Sequence, residues 1–419
     1  MLSKGFIPSL VFSLTVIFAH NSNAGPIHHI KVEGIVNPVM GEYITKSLDN
    51  AERTGAEALL IELDTPGGLD LSMRDIIKAI LSSEIPVIVY ISPSGSRAAS
   101  AGVFITYAAH VAAMAPGTNI GSAHPVAMGG EKMDETMAKK VENDAVAYIK
   151  SIAEKRKRNA VWAEKAVRES VNVTADEALK LNVIDLVAED RTKLLTAIDG
   201  RKVEVLAGIK ELKTKDGEII EFEMGLRYKI LNTITNPNVA YILMMIGLLG
   251  LYFELSNPGV IFPGVIGAIC LILAFYAFQT LSVNYAGLLL IGLAVIFFIA
   301  ELMVMSFGLF TIAGIISLTL GSLMLFESPL PFMRVSVWLI LPTIVVVSLF
   351  IACMSYYAMR LHRKKPVSGA EALVGAKGVA ITDIAPEGEV FVEGEYWKAV
   401  SKEPIKENEK IEVVEITGL

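Results

Sequence analysis

From about Val239 to Met359 the chain is almost continuously apolar, and a stretch of that length limits every other choice of fold. About 20 apolar residues cross the hydrocarbon core of a bilayer as one helix. The block divides on this measure into five spans, at about 239–254, 259–279, 285–304, 307–326 and 335–358. The first span is short. Turn signals at Ser256-Asn257-Pro258, Ser282-Val283-Asn284 and Ser328-Pro329-Leu330-Pro331 separate them. Glu254 and Glu301 lie close to span ends and are read as reaching the interface or a neighbouring helix. Both cysteines, Cys270 and Cys353, fall inside the block. They are read as packing residues, so no disulfide framework or cysteine metal site is expected.

The block sits between polar regions. Residues 1–24 carry Lys4, an apolar run from Phe6 to Ala19 and the small-x-small sequence Ser22-Asn23-Ala24. This pattern predicts a secretory signal peptide cut after Ala24. Residues 25–230 are mixed and charged, a membrane domain covers 235–360, and 366–419 form a polar C-terminal domain. Arg360, Arg363, Lys364 and Lys365 crowd the end of the last span, which places that end in the cytoplasm. Five crossings then join an exported N-terminal domain to a cytoplasmic tail, in a multi-pass protein of the cell inner membrane. The net charge of −7 offers no global basic surface for nucleic acid. The basic run Lys155–Arg158 is read as a solvated helix end.

In the N-terminal region strands and helices alternate. Strands are predicted at Ile30–Ile35, Ala58–Leu63, Pro86–Ser92, His110–Met114 and Val183–Val187. Helices fall at Tyr43–Arg53, Leu71–Leu81, after Ser100, and over about Met133–Lys155, with shorter ones on to Leu181. Such alternation implies an α/β fold with a largely parallel sheet. Ligands bind such sheets at the carboxyl ends of the strands. Two motifs lie there, LDTPGG (Leu63–Gly68) and RAASAG around Ser100.

Ser100 opens an apolar helix, and small neighbours leave its hydroxyl accessible. A helix N-terminus also supplies free N–H groups. The pattern suits a serine nucleophile, and it equally suits a tight strand-to-helix packing turn. The glycine turn of LDTPGG could present an oxyanion donor. A serine needs a base. Lys140 is one candidate, if burial or a nearby cation favours its neutral form, and Lys139 is equivalent on composition. His124 in IGSAHPV is the rival and needs no such help near neutral pH. His28 and His29 are read as unrelated residues near the mature N-terminus.

The runs IELDTPGGLDLSMRDIIKAI, PVIVYISPSGSRAASAG, AMAPGTNIGSAHPV, AYIKSIAEKRKRNAVWAEKAV and TADEALKLNVIDLVA resemble the NfeD membrane-bound serine proteases of the ClpP–crotonase type, in their long form. That resemblance implies a Ser–Lys dyad of Ser100 and Lys140, the lysine standing eleven residues before Ser151 of AYIKS. It implies oxyanion donors at Gly68 and Ala101, and no cofactor or metal. It implies apolar peptide substrates, a stomatin-like (SPFH) membrane partner and a homo-oligomer, a dimer being the simplest. His124 occupies the place of the soluble enzymes' histidine. The position of the aspartate that would orient it falls near Ser170, although Glu169 adjoins it; the missing orienter favours Lys140, with a His124 base or a lysine–histidine division of labour as the alternatives.

After Pro366, short β-type runs at Gly378–Ile381, Glu389–Val392, Glu395–Val400 and Lys410–Glu415 alternate with glycine turns. They predict a small barrel resembling the OB-fold of NfeD proteins. Its acidity and few aromatics suit protein contact rather than nucleic acid. The sequence thus predicts a membrane-bound serine endopeptidase. Two alternatives are a membrane scaffold for a stomatin-like protein with weak or conditional proteolysis, and acyl-thioester chemistry on a crotonase-like fold. An exported domain argues against the last, because CoA substrates are cytoplasmic.

Overall fold

The computed structural model describes residues 25–127, 134–256, 259–304, 308–326, 328, 333–362 and 373–417. Residues 1–24, on which the signal-peptide expectation falls, and the basic residues 363–365 lie outside these residues.

The N-terminal domain is built on a six-stranded, wholly parallel sheet. Its strands are β1 (Ile27–Glu33), β2 (Ala58–Asp64), β3 (Val87–Ile91), β5 (Val111–Met114), β8 (Leu186–Val187) and β11 (Ile219–Glu221), in the order β11-β1-β2-β3-β5-β8. ALLIELD and VIVYI read as nearly unbroken apolar runs because both sheet faces are covered. Successive side chains alternate between two cores. Leu59, Ile61, Leu63, Val87, Val89 and Ile91 face one side, under α1 (Pro38–Arg53), α2 (Asp70–Leu81), α3 (Ala101–Ala108), α4 (Glu135–Arg156), α5 (Ala160–Arg168) and α6 (Ala175–Lys180). Leu60, Ile88 and Tyr90 face the other, under α7 (Arg191–Ile198) and the hairpin β9 (Lys202–Val205)–β10 (Gly208–Glu211).

Three features differ from what the sequence predicts. The first strand starts at Ile27, so His28 and His29 are buried sheet residues. A separate small sheet, β4 (Arg97–Ala99), β6 (Asn119–Gly121) and β7 (Asn172–Thr174), stands beside the main one. Finally, the basic run is a solvated helix end only in part: Lys155 and Lys157 are exposed, whereas Arg158 is buried. Lys157 closes α4 in the left-handed region, which turns the Arg158 side chain inward to 7% exposure. Its Nη1 donates to the Tyr107 and Ala109 carbonyls at 2.8 Å each. Its Nη2 donates to Asp185 at 2.6 Å.

Five apolar helices follow a short amphipathic helix, α8 (Leu226–Ile234): α9 (Pro237–Ser256), α10 (Ile261–Phe278), α11 (Tyr285–Val304), α12 (Leu309–Met324) and α13 (Val337–His362). Among the described residues, three segments are long and apolar enough to cross a membrane: Pro237–Ser256, Ile261–Phe278 and Val337–Met354. The apolar stretches Tyr285–Glu301 and Leu309–Met324 are shorter. The chain divides into two compact units. One runs to Glu254 and adds Gly259–Leu288 and Leu323–Val337; the other holds Leu289–Ser322 and Trp338 onward.

Within the first unit, α9 and α10 cross at glycines. A Cβ at Gly250 would meet the Pro263 carbonyl oxygen at 2.5 Å, and one at Gly267 would meet the Gly247 oxygen at 2.9 Å. Small residues permit such backbone approach between membrane helices. Gly267→Leu is therefore expected to separate the two helices. A cysteine pair placed across the crossing should cross-link in the parent chain and lose most of that yield in Gly267→Leu.

Within the second unit, the buried Glu301 on α11 caps α12. The amides of Gly308 and Thr311 donate to its two carboxylate oxygens at 2.9 and 3.1 Å. The acid thus serves a neighbouring helix terminus. Cys270 is half-buried, whereas Cys353 is exposed on α13 and is not a packing residue.

The C-terminal domain is β-rich and antiparallel. Strands β12 (Lys377–Ala380), β13 (Glu387–Val392), β14 (Glu395–Val400) and β15 (Lys410–Glu412) order as β14-β13-β12-β15. The two-residue β13–β14 turn, Glu393-Gly394, has positive φ at both positions, as a hairpin turn of the primed class requires. Ala380, Ile384, Val390 and Val392 form its small core.

Candidate active site

The site is laid out by the carboxyl end of β2 and the small sheet. After β2 the chain enters Thr65-Pro66-Gly67-Gly68. The Thr65 amide donates to the Arg97 carbonyl at 2.8 Å, and the Ala99 amide donates to the Thr65 carbonyl at 3.0 Å. The glycine turn and the strand leading to Ser100 are therefore stitched side by side. The Ser100 amide donates to the Gly121 carbonyl at 3.2 Å, which ties β6 to the same point.

Ser100 itself has φ 52° and ψ −115°. This is a costly backbone for a residue with a Cβ, and such strain collects at functional sites. The sharp turn puts a half-buried hydroxyl immediately before α3, with no hydrogen bond from its side chain to the helix cap. Small residues are needed around it. A Cβ at Gly102 would lie 2.7 Å from the Thr65 methyl and 3.2 Å from the Ala98 Cβ. Gly67 has φ +121°, and a Cβ there would lie 2.6 Å from the Ser100 Cβ and 3.0 Å from its Oγ.

The expected oxyanion donors separate clearly from their neighbours. The Gly67 amide is taken by the Thr65 hydroxyl at 3.0 Å. Gly68 bridges to Val36, using the flanking Gly67 carbonyl and Leu69 amide. Among the described residues the Gly68 amide has no partner. Ala101 is the first residue of α3, where an amide has no intrahelical acceptor.

Both candidate bases are exposed. Lys140 lies in the second turn of α4 and makes no hydrogen bond or ion pair among the described residues. Lys139 is its equally exposed neighbour. Four and eight residues on, Asp144 and Tyr148 share its helix face. Asp144 is ion-paired with Arg74 of α2. Tyr148 stacks on Phe104 of α3, with ring centroids 6.2 Å apart, and lies under the Arg74 guanidinium at 4.4 Å. Lys140 itself is exposed, on the side of α4 opposite the buried Ala145, Val146, Ile149, Ile152 and Ala153.

His124 follows β6 by three residues. Its Nδ1 lies 2.9 Å from the Val167 carbonyl oxygen. A carbonyl only accepts, so Nδ1 carries the proton and Nε2 is left as the acceptor, the tautomer a base requires. The sequence reading looked for a carboxylate near Ser170; a backbone carbonyl three residues earlier holds the ring instead. Such a partner leaves no trace in side-chain identity. Among the described residues no group of three or more His, Cys, Asp or Glu is placed to hold a metal ion.

An α/β domain on a parallel six-stranded sheet, carrying a strained serine before a helix and joined in one chain to apolar helices and a β-rich tail, defines a membrane-bound protein with an α/β N-terminal domain. The chain belongs to the NfeD family: it matches the NfeD1b N-terminal domain at residues 26–221, the NfeD integral membrane domain at 238–357 and the NfeD-like C-terminal, partner-binding domain at 370–419. It is 36% identical to the membrane-bound protease PH1510 of Pyrococcus horikoshii, over 98% of this chain and 95% of that one. It is 28% identical to the membrane protein NfeD1b of Bacillus subtilis, over 99% and 97%. A solved structure of the 1510-N membrane-bound stomatin-specific protease is a lysine-to-alanine mutant in complex with a substrate peptide. It is 33% identical, spanning 50% of this chain and 98% of that one, with a TM-score of 0.47.

Proposed function

We propose that the chain is a membrane-bound serine endopeptidase that cleaves apolar peptide segments, with Ser100 as nucleophile and Lys140 as base. The observation that carries this reading is the Ser100 backbone, held at positive φ between the glycine turn and the N-terminus of α3. In the proposed reaction Ser100 Oγ attacks the peptide carbonyl while neutral Lys140 takes its proton. The amides of Gly68 and Ala101 stabilise the oxyanion, a contribution of about 3 kcal/mol for each donor. Lys140 then returns the proton to the leaving amine, and water releases the acyl group by the same path.

Exposed apolar residues on the segments that carry the site favour an apolar substrate: Leu71 on α2, Val126 after His124 and Met137 on α4. Family membership makes a stomatin-like membrane protein the proposed partner, held by the C-terminal domain. The proposed topology exports the protease domain and leaves the C-terminal domain cytoplasmic.

The Val167 contact favours a second reading, in which His124 Nε2 is the base. One assay separates the two: cleavage of an apolar peptide library by the full-length protein and by Ser100→Ala, Lys140→Ala and His124→Ala. The dyad predicts at least about 100-fold loss in the first two and near-parental activity in the third. Full activity in Lys140→Ala with loss in His124→Ala would transfer the role of base to the histidine.

A further inference from the structure

We infer that α8 lies in the bilayer surface, with Leu226 and Ile230 reaching the acyl chains and Arg227 and Lys229 beside the lipid phosphates. That placement holds whichever residue is the base.

α8 is amphipathic in the opposite sense to a helix on a water-facing domain, which turns its apolar stripe to the core. Here the polar side meets protein. Asn37 donates through Nδ2 to Asn232 Oδ1 at 2.8 Å and to Thr235 Oγ1 at 2.9 Å. The Tyr228 hydroxyl donates to Glu42 at 3.2 Å, and its ring packs on Tyr43 of α1. Leu226 and Ile230, one turn apart, stand on the other side of the helix and are 74% and 48% exposed. The exposed Arg227 and Lys229 flank them. Their ion pairs, with Glu42 at 3.9 Å and Glu223 at 3.2 Å, are solvent-exposed and so hold weakly. Helices that lie in a membrane surface have this order: an apolar face at the acyl boundary, with cations at its edges reaching the headgroups.

The chain itself supplies the occupant of the apolar face. Only Thr235 and Asn236 separate α8 from α9, three Cα steps that reach ~11 Å at most. The 20 residues of α9 give ~30 Å of helix, the thickness of the hydrocarbon core. α9 has no length to spare, so its first turn stands at the headgroup boundary and α8 arrives there with it. Pro237 cannot continue the hydrogen-bond ladder of α8, so the first helix ends before the span begins. α8 also neighbours α10, a second membrane helix. Asn37 follows Val36, whose amide binds the Gly67 carbonyl at 2.9 Å and whose carbonyl binds the Leu69 amide at 2.8 Å. A helix resting on lipid is thereby tied, through one residue, to the glycine turn beside Ser100.

The test uses the full-length protein in vesicles of phosphatidylcholine and phosphatidylglycerol. Cys270 and Cys353 are first replaced by alanine. A single cysteine is then introduced by Ile230→Cys, or by Glu154→Cys on the exposed side of α4, and labelled with an environment-sensitive fluorophore. Leu226→Cys carries the same prediction should Ile230→Cys not fold. The label at position 230 should emit to the blue of the label at position 154, and a nitroxide-bearing lipid should quench most of its emission while leaving position 154 bright. Labels at 226 and 230 that both behave like the one at 154 would overturn the placement. So would a blue-shifted label that the nitroxide lipid does not quench, since protein and not lipid would then cover the face.

Discussion

Gly67→Ala is expected to lower kcat/KM by at least about 100-fold while the chain still folds. The new methyl would sit 2.6 Å from the Ser100 Cβ and 3.0 Å from its hydroxyl oxygen, distances at which one group must move. The backbone on both sides has little room to yield, because Thr65 is bonded to Arg97 and Ala99. Ser100 is therefore the group displaced, and a misplacement near 1 Å costs on the order of 100-fold in rate. The φ of +121° adds strain of about 1–3 kcal/mol, less than the stability of an ordinary domain. Peptide cleavage and thermal inactivation measured on the same preparation separate the two effects. Gly68→Ala would behave differently: its Cβ would meet the Val36 carbonyl oxygen at 2.2 Å and break the bridge between the glycine turn and the end of β1.

Arg158→Met should destabilise the protein by about 2–3 kcal/mol, the cost of leaving the buried Tyr107 and Ala109 carbonyls without their donor and the Asp185 carboxylate with one partner fewer. Arg158 binds two carbonyls at the end of α3, so it anchors the far end of the helix that Ser100 opens. Its partner Asp185 also accepts from the Ala112 amide at 2.7 Å and from Arg201. Burial pushes the Asp185 carboxyl up; Arg158, the Ala112 amide and Arg201 outweigh burial and hold it below the usual carboxylate range. A depressed carboxylate contributes stability that is present above its unfolded pKa and is lost as pH falls through the folded value. Without Arg158 the burial effect gains weight, and acid loss of structure should begin at higher pH. Thermal inactivation of the full-length protein across pH 3–7 tests both expectations. An unchanged midpoint at pH 7 would contradict the anchoring role.

The parts of the molecule that were legible from sequence are those with a long period. β2, β3 and α2 were placed within a residue or two because ALLIELD, VIVYI and DLSMRDIIKAIL are long enough to show burial or helical spacing. The apolar helices were readable for the same reason. The small sheet was not, since RAA, NIG and NVT are too short to show alternation. That sheet is what presents Ser100, so the residue was legible while its setting was not. Lys155–Arg158 looked like a solvated run because charge alone does not reveal a left-handed turn at Lys157 that reverses the next side chain. In the glycine pair the sequence does not tell which residue packs on the serine. The geometry gives Gly67 that contact and leaves Gly68 with the free amide.

The most direct test of the central claim is to locate a covalent adduct. The full-length protein is treated with a phosphonate bearing an apolar peptide, digested, and the modified residue is mapped by mass spectrometry. The account predicts a single adduct on Ser100, absent from Ser100→Ala, with peptide cleavage lost in parallel. Cleavage that persists in Ser100→Ala, or an adduct on another serine that tracks with activity, would contradict it.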